Sequence, residues 1–231
     1  MQKFAILACL SAAASPLAAE TSRQRPESCV LVATSQDDHC AVTNHFRCDG
    51  AGPIAFWQEI THGNGAVEIH ADDAKHGAIE IVMPGGSHIR FKSSGGSPAE
   101  AVQTGKSRVT ERATLTGGGA SQSASMVIEY TFDGETRELA GKTFKRLSYE
   151  ADLDYPQSGS KLHTSGTLLF NEQLDLLINE TEVSDGQGGP GRRIKLKTLA
   201  LEGRKGFGST KPKYGCQSLS LNESFPPEVR A

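Results

Sequence analysis

The sequence predicts an all-β protein, or a β-dominated α+β one. The expected form is a curved antiparallel meander, half-barrel or barrel-like, of about 10–12 strands braced by disulfides. Three observations carry this. Apolar and polar residues alternate with a period of two along much of the chain. Turn residues recur at about 8–14-residue spacing. Four cysteines follow what reads as an export signal.

The first 19 of the 231 residues, MQKFAILACLSAAASPLAA, carry Lys3 and then a short apolar run from Phe4 to Ala14. Pro16 breaks the run, and Leu17-Ala18-Ala19 supplies small residues before a cut ahead of Glu20. This pattern places the mature protein in a periplasm or a secreted setting. Residues 20–225 are then expected as a single antiparallel β domain, and residues 226–231, from the Pro226-Pro227 pair, as a frayed, disordered tail. After the signal no apolar run approaches the ~18 residues of a spanning helix. The net charge of -3 argues against a nucleic-acid binder working by whole-chain positive charge.

The mature cysteines are Cys29, Cys40, Cys48 and Cys216. Export makes two disulfides the default, and three pairings are open. If Cys40 to Cys48 is one extended strand, its ends lie ~26 Å apart at ~3.3 Å per residue. They cannot then bond, since a disulfide needs Cα atoms under ~7 Å apart. If Thr43 to Phe46 is a tight turn, they can. In either case Cys216 reaches back to the N-terminal region. A zinc site is disfavoured because no C-x-x-C spacing occurs.

In chain order, Ile54–Thr61 is the first β-rich run. Phe56 and Trp57 are adjacent and so face opposite sides of it; one belongs in a core, the other is a candidate ligand-facing aromatic. Alternation then marks Ala66–His70, Ala78–Val82 and His88–Lys92. One helix is expected at Pro98–Gln103, with Ser97 as N-cap and Pro98 in the first position. Further strands are expected at Arg108–Thr116, Met126–Phe132, Phe144–Asp154, Leu162–Phe170, Leu174–Val183 and Arg193–Lys197. The turns between include Gly63-Asn64-Gly65, Pro84-Gly85-Gly86, Asp133-Gly134 and Asp185-Gly186.

The stretch from Gly166 to Glu202 runs as a strand ending at Asn171 and a short apolar strand at Leu174–Ile178. A polar strand with Glu180 and Glu182, an Asp185-Gly186 turn and a long amphipathic strand follow. This order resembles the C-terminal hairpin of the LolA-like lipoprotein-carrier family and related periplasmic half-barrels, over about residues 166–202. The resemblance implies a curved antiparallel sheet wrapped around a helix, with lipid held in the cavity. The whole chain also looks like an exported bacterial β-protein of unknown function.

Candidate chemistry is sparse. His62, His70, His76 and His88 fall close together with Asp72 and Asp73, and Glu68 shares a face with His70. No H-x-H or H-E-x-x-H spacing supports a metal, so the expectation is surface histidines. Glu150, Asp152 and Asp154 alternate along one strand, as do Glu180 and Glu182. Neighbours two apart lie ~6.6 Å apart, the spacing of an inverting glycosidase pair, but solvent-facing strands show the same pattern. Ser158-Gly159-Ser160-Lys161 matches S-x-x-K in letters only, and the glycine-rich stretch Gly186–Gly191 reads as a hairpin tip. No catalytic residue, metal or cofactor is assigned.

Charge is the most physical clue. Arg192, Arg193, Lys195, Lys197, Arg204, Lys205, Lys211 and Lys213 crowd one segment with a single acid, Glu202. Of these, Arg192, Arg193, Lys195 and Lys197 are the candidate contacts for an anionic group. Opposite charges paired across neighbouring strands are the plainer account. The leading expectation is a non-enzymatic binder of an apolar or amphipathic envelope ligand, or of an envelope partner, on the concave side of the sheet. The alternatives are a structural or interaction protein without a small ligand, and a carbohydrate-active enzyme using strand carboxylates.

Overall fold

The alternating runs Ala66–His70, Ala78–Val82, His88–Lys92 and Arg193–Lys197 all fall on strands in the structure, a computed structural model that describes residues 24–50, 52–117, 120–185 and 192–216. The export signal, the tail from Pro226 and the glycine-rich stretch Gly186–Gly191 lie outside these residues. Thirteen strands are described: β1 (Cys29–Asp37), β2 (Ala41–Cys48), β3 (Phe56–His62), β4 (Val67–Asp72), β5 (Ala78–Val82), β6 (His88–Gly95), β7 (Lys106–Gly117), β8 (Ala120–Thr131), β9 (Thr136–Leu139), β10 (Lys142–Tyr155), β11 (Ser160–Asn171), β12 (Leu176–Asp185) and β13 (Arg192–Leu201). One helix, α1 (Pro98–Thr104), joins β6 to β7.

Strands pair antiparallel with their neighbours in sequence, except that β8 pairs with β10 rather than β9, and β13 returns to pair with β1. Twelve strands close a barrel, and the thirteenth, β9, is extra. β9 pairs with Lys142–Lys145 of β10, just beyond the stretch of β10 that β8 covers. The expected barrel-like meander is therefore a closed barrel.

Closure follows from the pattern. Along β7 the odd positions Ser107, Val109, Glu111 and Ala113 are buried. The even positions Lys106, Arg108, Thr110 and Arg112 are exposed. One face of the sheet thus needs covering, and a curled sheet covers that face with itself. An interior apolar cluster forms beside α1, where Ala101 joins Val109, Tyr130, Leu147 and Phe170. The helix has the expected start, with the Ser97 side chain accepting from the Glu100 N–H, and it ends on Gly105 in the left-handed region (φ 89°).

Three strands escape the sequence pattern. β1 and β9 were not anticipated, and for β2 the sequence leaves both a strand and a tight turn open; β8 starts six residues earlier than Met126. β1 and β2 carry Thr34, Ser35, Gln36, Asn44 and His45 as buried polar residues, so their alternation does not read as apolar against polar. Their outer face is covered by the segment after β13. Gly208 N–H donates to Thr34 Oγ1, Asn44 donates to the Ser209 carbonyl, and Lys213 N–H donates to Gln36 Oε1.

The extended β2 rules out a Cys40–Cys48 bond. Cys48 instead bonds Cys29, directly opposite it on β1. Cys40 bonds Cys216, 176 residues away, and pins the covering segment down. On the chain-entropy account that second bond stabilises the fold by about 5 kcal/mol.

Candidate functional site

A barrel of twelve strands is wider than side chains readily fill. A cavity of about 360 Å³ remains in its interior, bounded by β1–β4 on one side and β11–β13 on the other. Period-two geometry selects its walls. From β3 come Gln58, Ile60 and His62; from β4, Glu68 and His70; from β2, Thr43 and His45. The facing wall is more apolar, with Leu168, Leu177, Ile194 and Leu196 beside Asn179 and Glu182.

The polar wall is a hydrogen-bonded network. Glu68 lies between two imidazoles, 2.5 Å from His70 Nε2 and 3.4 Å from His62 Nε2. Burial works to raise its pKa, but hydrogen bonds from His62 and His70, and then their charge, hold it at about 2. Burial opposes charge on His70, yet the hydrogen bond and charge of Glu68, with Asp72 and Glu182 beyond it, raise its pKa above the ordinary value. His45, 5% exposed, meets Ser35 Oγ at 2.8 Å and is pushed down to about 4 by burial and then by His70. Gln58 donates to Asp72, whose carboxyl is raised chiefly by burial.

Glu182 is held from the other wall. Tyr149 Oη–H and Asn179 Nδ2–H both donate to it, at 3.3 and 2.8 Å. Gly166 stands directly between Tyr149 and Glu182 in the sheet. A Cβ there would lie 3.0 Å from the Tyr149 ring and 2.0 Å from the Thr181 carbonyl oxygen. The glycine is what lets Tyr149 cross its own sheet to reach Glu182.

Glu180 and Glu182 do not share a face, against the expectation from strict alternation. Thr181 pairs with Thr167 but Asn179 with Leu168, so Glu180 has no opposite number and forms a bulge. Glu182 lines the cavity, while Glu180 is bound by Arg137, Arg146 and Thr167. Glu150 and Asp152 are exposed and Asp154 is half-buried; Asp152 pairs with His163 and Asp154 with Lys161, each across the strand pair.

The histidines divide. His62 and His70 line the cavity rather than a wet outer surface, correcting the surface reading for those two. His76 stacks on Phe56 with centroids 4.0 Å apart and meets Phe170 edge-on. His88 lies against Glu80, which also pairs with Arg90. Among the described residues, no three His, Cys, Asp or Glu side chains are grouped to hold a metal ion.

Phe56 and Trp57 take opposite faces, as adjacency requires. Trp57 is fully buried with Phe46 and Ala71, and its indole N–H donates to Glu59. Phe56 follows the inward parity of Gln58, but its ring is taken up by His76. Arg193, Lys195 and Lys197 are exposed on the outer face of β13, whose Ile194 and Leu196 face the cavity. Arg192 is described only as the first residue of β13. Arg193, Lys195 and Lys197 therefore lie across the wall from the cavity, and Lys197 pairs with Asp38 rather than with the β12 acids.

Sequence reasoning missed His45, Gln58, Ser35 and Asn179 as wall residues. The available signal was polar residues at both parities of β1–β3, the mark of a strand with a wet inner face. Comparison with known protein families, curated proteins and solved structures finds nothing that matches this chain. The closed barrel is compatible with the LolA-like resemblance of residues 166–202, which no match supports.

Proposed function

We propose that this protein binds a small amphipathic molecule inside its barrel, in an oxidising compartment outside the cytoplasm. The observation that carries the reading is the mixed wall of the 360 Å³ cavity, with a His–Glu–His network facing Leu168, Leu177 and Ile194. Concave sites with a mainly apolar lining and a few placed polar groups are the usual form of small-ligand sites. Burying ~100 Å² of an apolar arm would contribute about 2.5 kcal/mol, and the polar wall would select the head. Two disulfides suit an exported protein. The charged outer face of β7 suits a barrel surrounded by water, because Arg or Lys facing lipid at mid-bilayer costs ~2–4 kcal/mol. The strand acids Glu150, Asp152 and Asp154 lie on the outer side, Asp152 paired with His163 and Asp154 with Lys161, which favours binding over glycoside hydrolysis.

Native mass spectrometry of the mature protein, purified from its own compartment without detergent, tests this. The expected spectrum shows a one-to-one adduct, lost on denaturation and absent from a Leu177→Trp variant that fills the cavity. An adduct that persists unchanged in a folded Leu177→Trp protein would place binding elsewhere. A bare wild-type protein would shift the reading to an interaction protein without a small ligand.

A further inference from the structure

The cavity's wall has a charge character that its apolar side conceals. Glu68 and Glu182 line it, with Asp37 held at its β1 edge by the His39 and Ala41 N–H groups, and among the described side chains no Lys or Arg lines it. Among the described residues its basic groups are the imidazoles of His45, His62 and His70. From this geometry we infer that the cavity takes a small organic cation, an amine with a short apolar arm. The ammonium would sit at Glu182 beside the Glu68–His70 pair, with the arm against Leu168, Leu177 and Ile194. The inference rests on the small-molecule reading above and adds the charge of the ligand.

Three further observations point the same way. His70 acts as an internal gauge of the local field. A buried imidazole ordinarily loses its proton, yet this one holds it more firmly than in water because Glu68, Asp72 and Glu182 surround it. The position therefore already favours a positive charge over a neutral group. Second, the carboxylate of Glu182 receives only uncharged donors, Tyr149, Asn179 and Ser184, among the described residues. Hydrogen bonds of that kind orient a carboxylate without neutralising it, which leaves its charge for a ligand. Third, the same inner face carries Glu111, 2% exposed, whose Oε2 has no hydrogen-bond partner. Its Oε1 accepts from Ser93 and the Ala78 N–H, and burial, with Asp72 and Asp73 nearby, raises its pKa. Glu111 thus adds a second carboxyl group, beside Glu182, that no described Lys or Arg meets on the inner face. Positive charge on the outer face of β13 lies on the other side of the wall, with Arg193 and Lys195 exposed and Lys197 paired with Asp38.

A matched set of probes decides the charge. 2-Phenylethylammonium, 2-phenylethanol and 3-phenylpropionate have similar bulk and differ in the head. Calorimetric titration at pH 7 should show the ammonium binding at least ~10-fold more tightly than the other two. Glu182→Gln keeps an acceptor for Tyr149 and should weaken the ammonium ~10-fold while leaving the alcohol unchanged. His70→Gln removes the resident competing cation and should tighten the ammonium. Tighter binding of the propionate or the alcohol would overturn the charge assignment and leave a small-molecule site intact. An ammonium affinity indifferent to Glu182→Gln, or no binding by any probe, would also overturn it. The adduct measurement on the native protein judges the binding reading separately.

Discussion

Between β7, β8 and β10 the barrel interior is filled, whereas between β2, β3 and β4 it stays open. In the filled sector the inward positions are Val109, Tyr130 and Leu147, sealed by Ala101 of α1. In the open sector they are His45, Gln58, His62, Glu68 and His70. Strand geometry is the same in both; the side chains differ. Apolar groups of matched volume interdigitate to native density. Polar groups must keep their hydrogen-bond directions, so they bond along the wall and leave the space in front of them unfilled. Leu168 and Leu177 belong to both sectors and mark the boundary between them.

The largest test of this contrast is truncation. Leu147→Ala, at a fully buried position, should cost about 2–5 kcal/mol. Ile60→Ala, beside an existing cavity, should cost nearer ~1 kcal/mol, since less packing is lost. Chemical denaturation of the two variants measures the difference, and equal losses would mean the two sectors are packed alike.

Next comes acid. His45 titrates near 6.5 when unfolded and about 4 when folded, so the unfolded chain takes up its proton first. Its neutral burial is therefore harmless above pH 6.5 and increasingly destabilising as pH falls to 4, by up to about 3 kcal/mol. His45→Gln should flatten the stability profile across that window. Glu68 acts lower, stabilising above pH 4.5 and losing its contribution as pH falls towards 2. Stability measured from pH 7 to 3 on both proteins checks the order, and a profile identical in His45→Gln would remove His45 as the cause.

Gly166→Ala probes how the open sector is held. A Cβ at 2.0 Å from the Thr181 carbonyl oxygen forces the strands apart, with an expected loss of about 1–3 kcal/mol. Tyr149 fluorescence should report its displacement from Glu182, and an unshifted spectrum with full stability would contradict the account. The smallest effect belongs outside the barrel: Lys195→Glu, exposed on β13, should change the melting free energy by under ~0.5 kcal/mol. It should also leave probe binding in the cavity unaltered.

How far the chain could be read in advance follows from the same contrast. Strands with an apolar inner face, such as Arg108–Thr116, announced themselves by alternation. The Pro98 helix was legible from its cap. β1 and β2 were obscured because the cavity wall and the covering segment each demand polar residues, one on either face. Glu68 and His70 were legible as neighbours on one face, but not as interior. Whether a face points in or out is decided by closure, which no local window contains. The bulge at Glu180 was invisible for a related reason: it depends on the register of β11, and strict alternation placed Glu180 with Glu182.

The pairing of β1 with β13 is where the barrel joins strands remote in sequence; the other pairings link chain neighbours, except that β10 passes the short β9 to pair with β8. Ala33 sits opposite Leu201, so the start of the first strand and the end of the last meet at the same rim. That seam and the covering segment carry the contacts of greatest sequence separation. Hairpins can form early and locally, but the ring closes only after a loop of nearly the whole domain has been drawn in, the slow kind of step in folding. A circular permutant that keeps the covering segment through Cys216, links its end to the start of β1 and opens at the Gly134 turn would move that slow closure elsewhere and retain the Cys40–Cys216 bond.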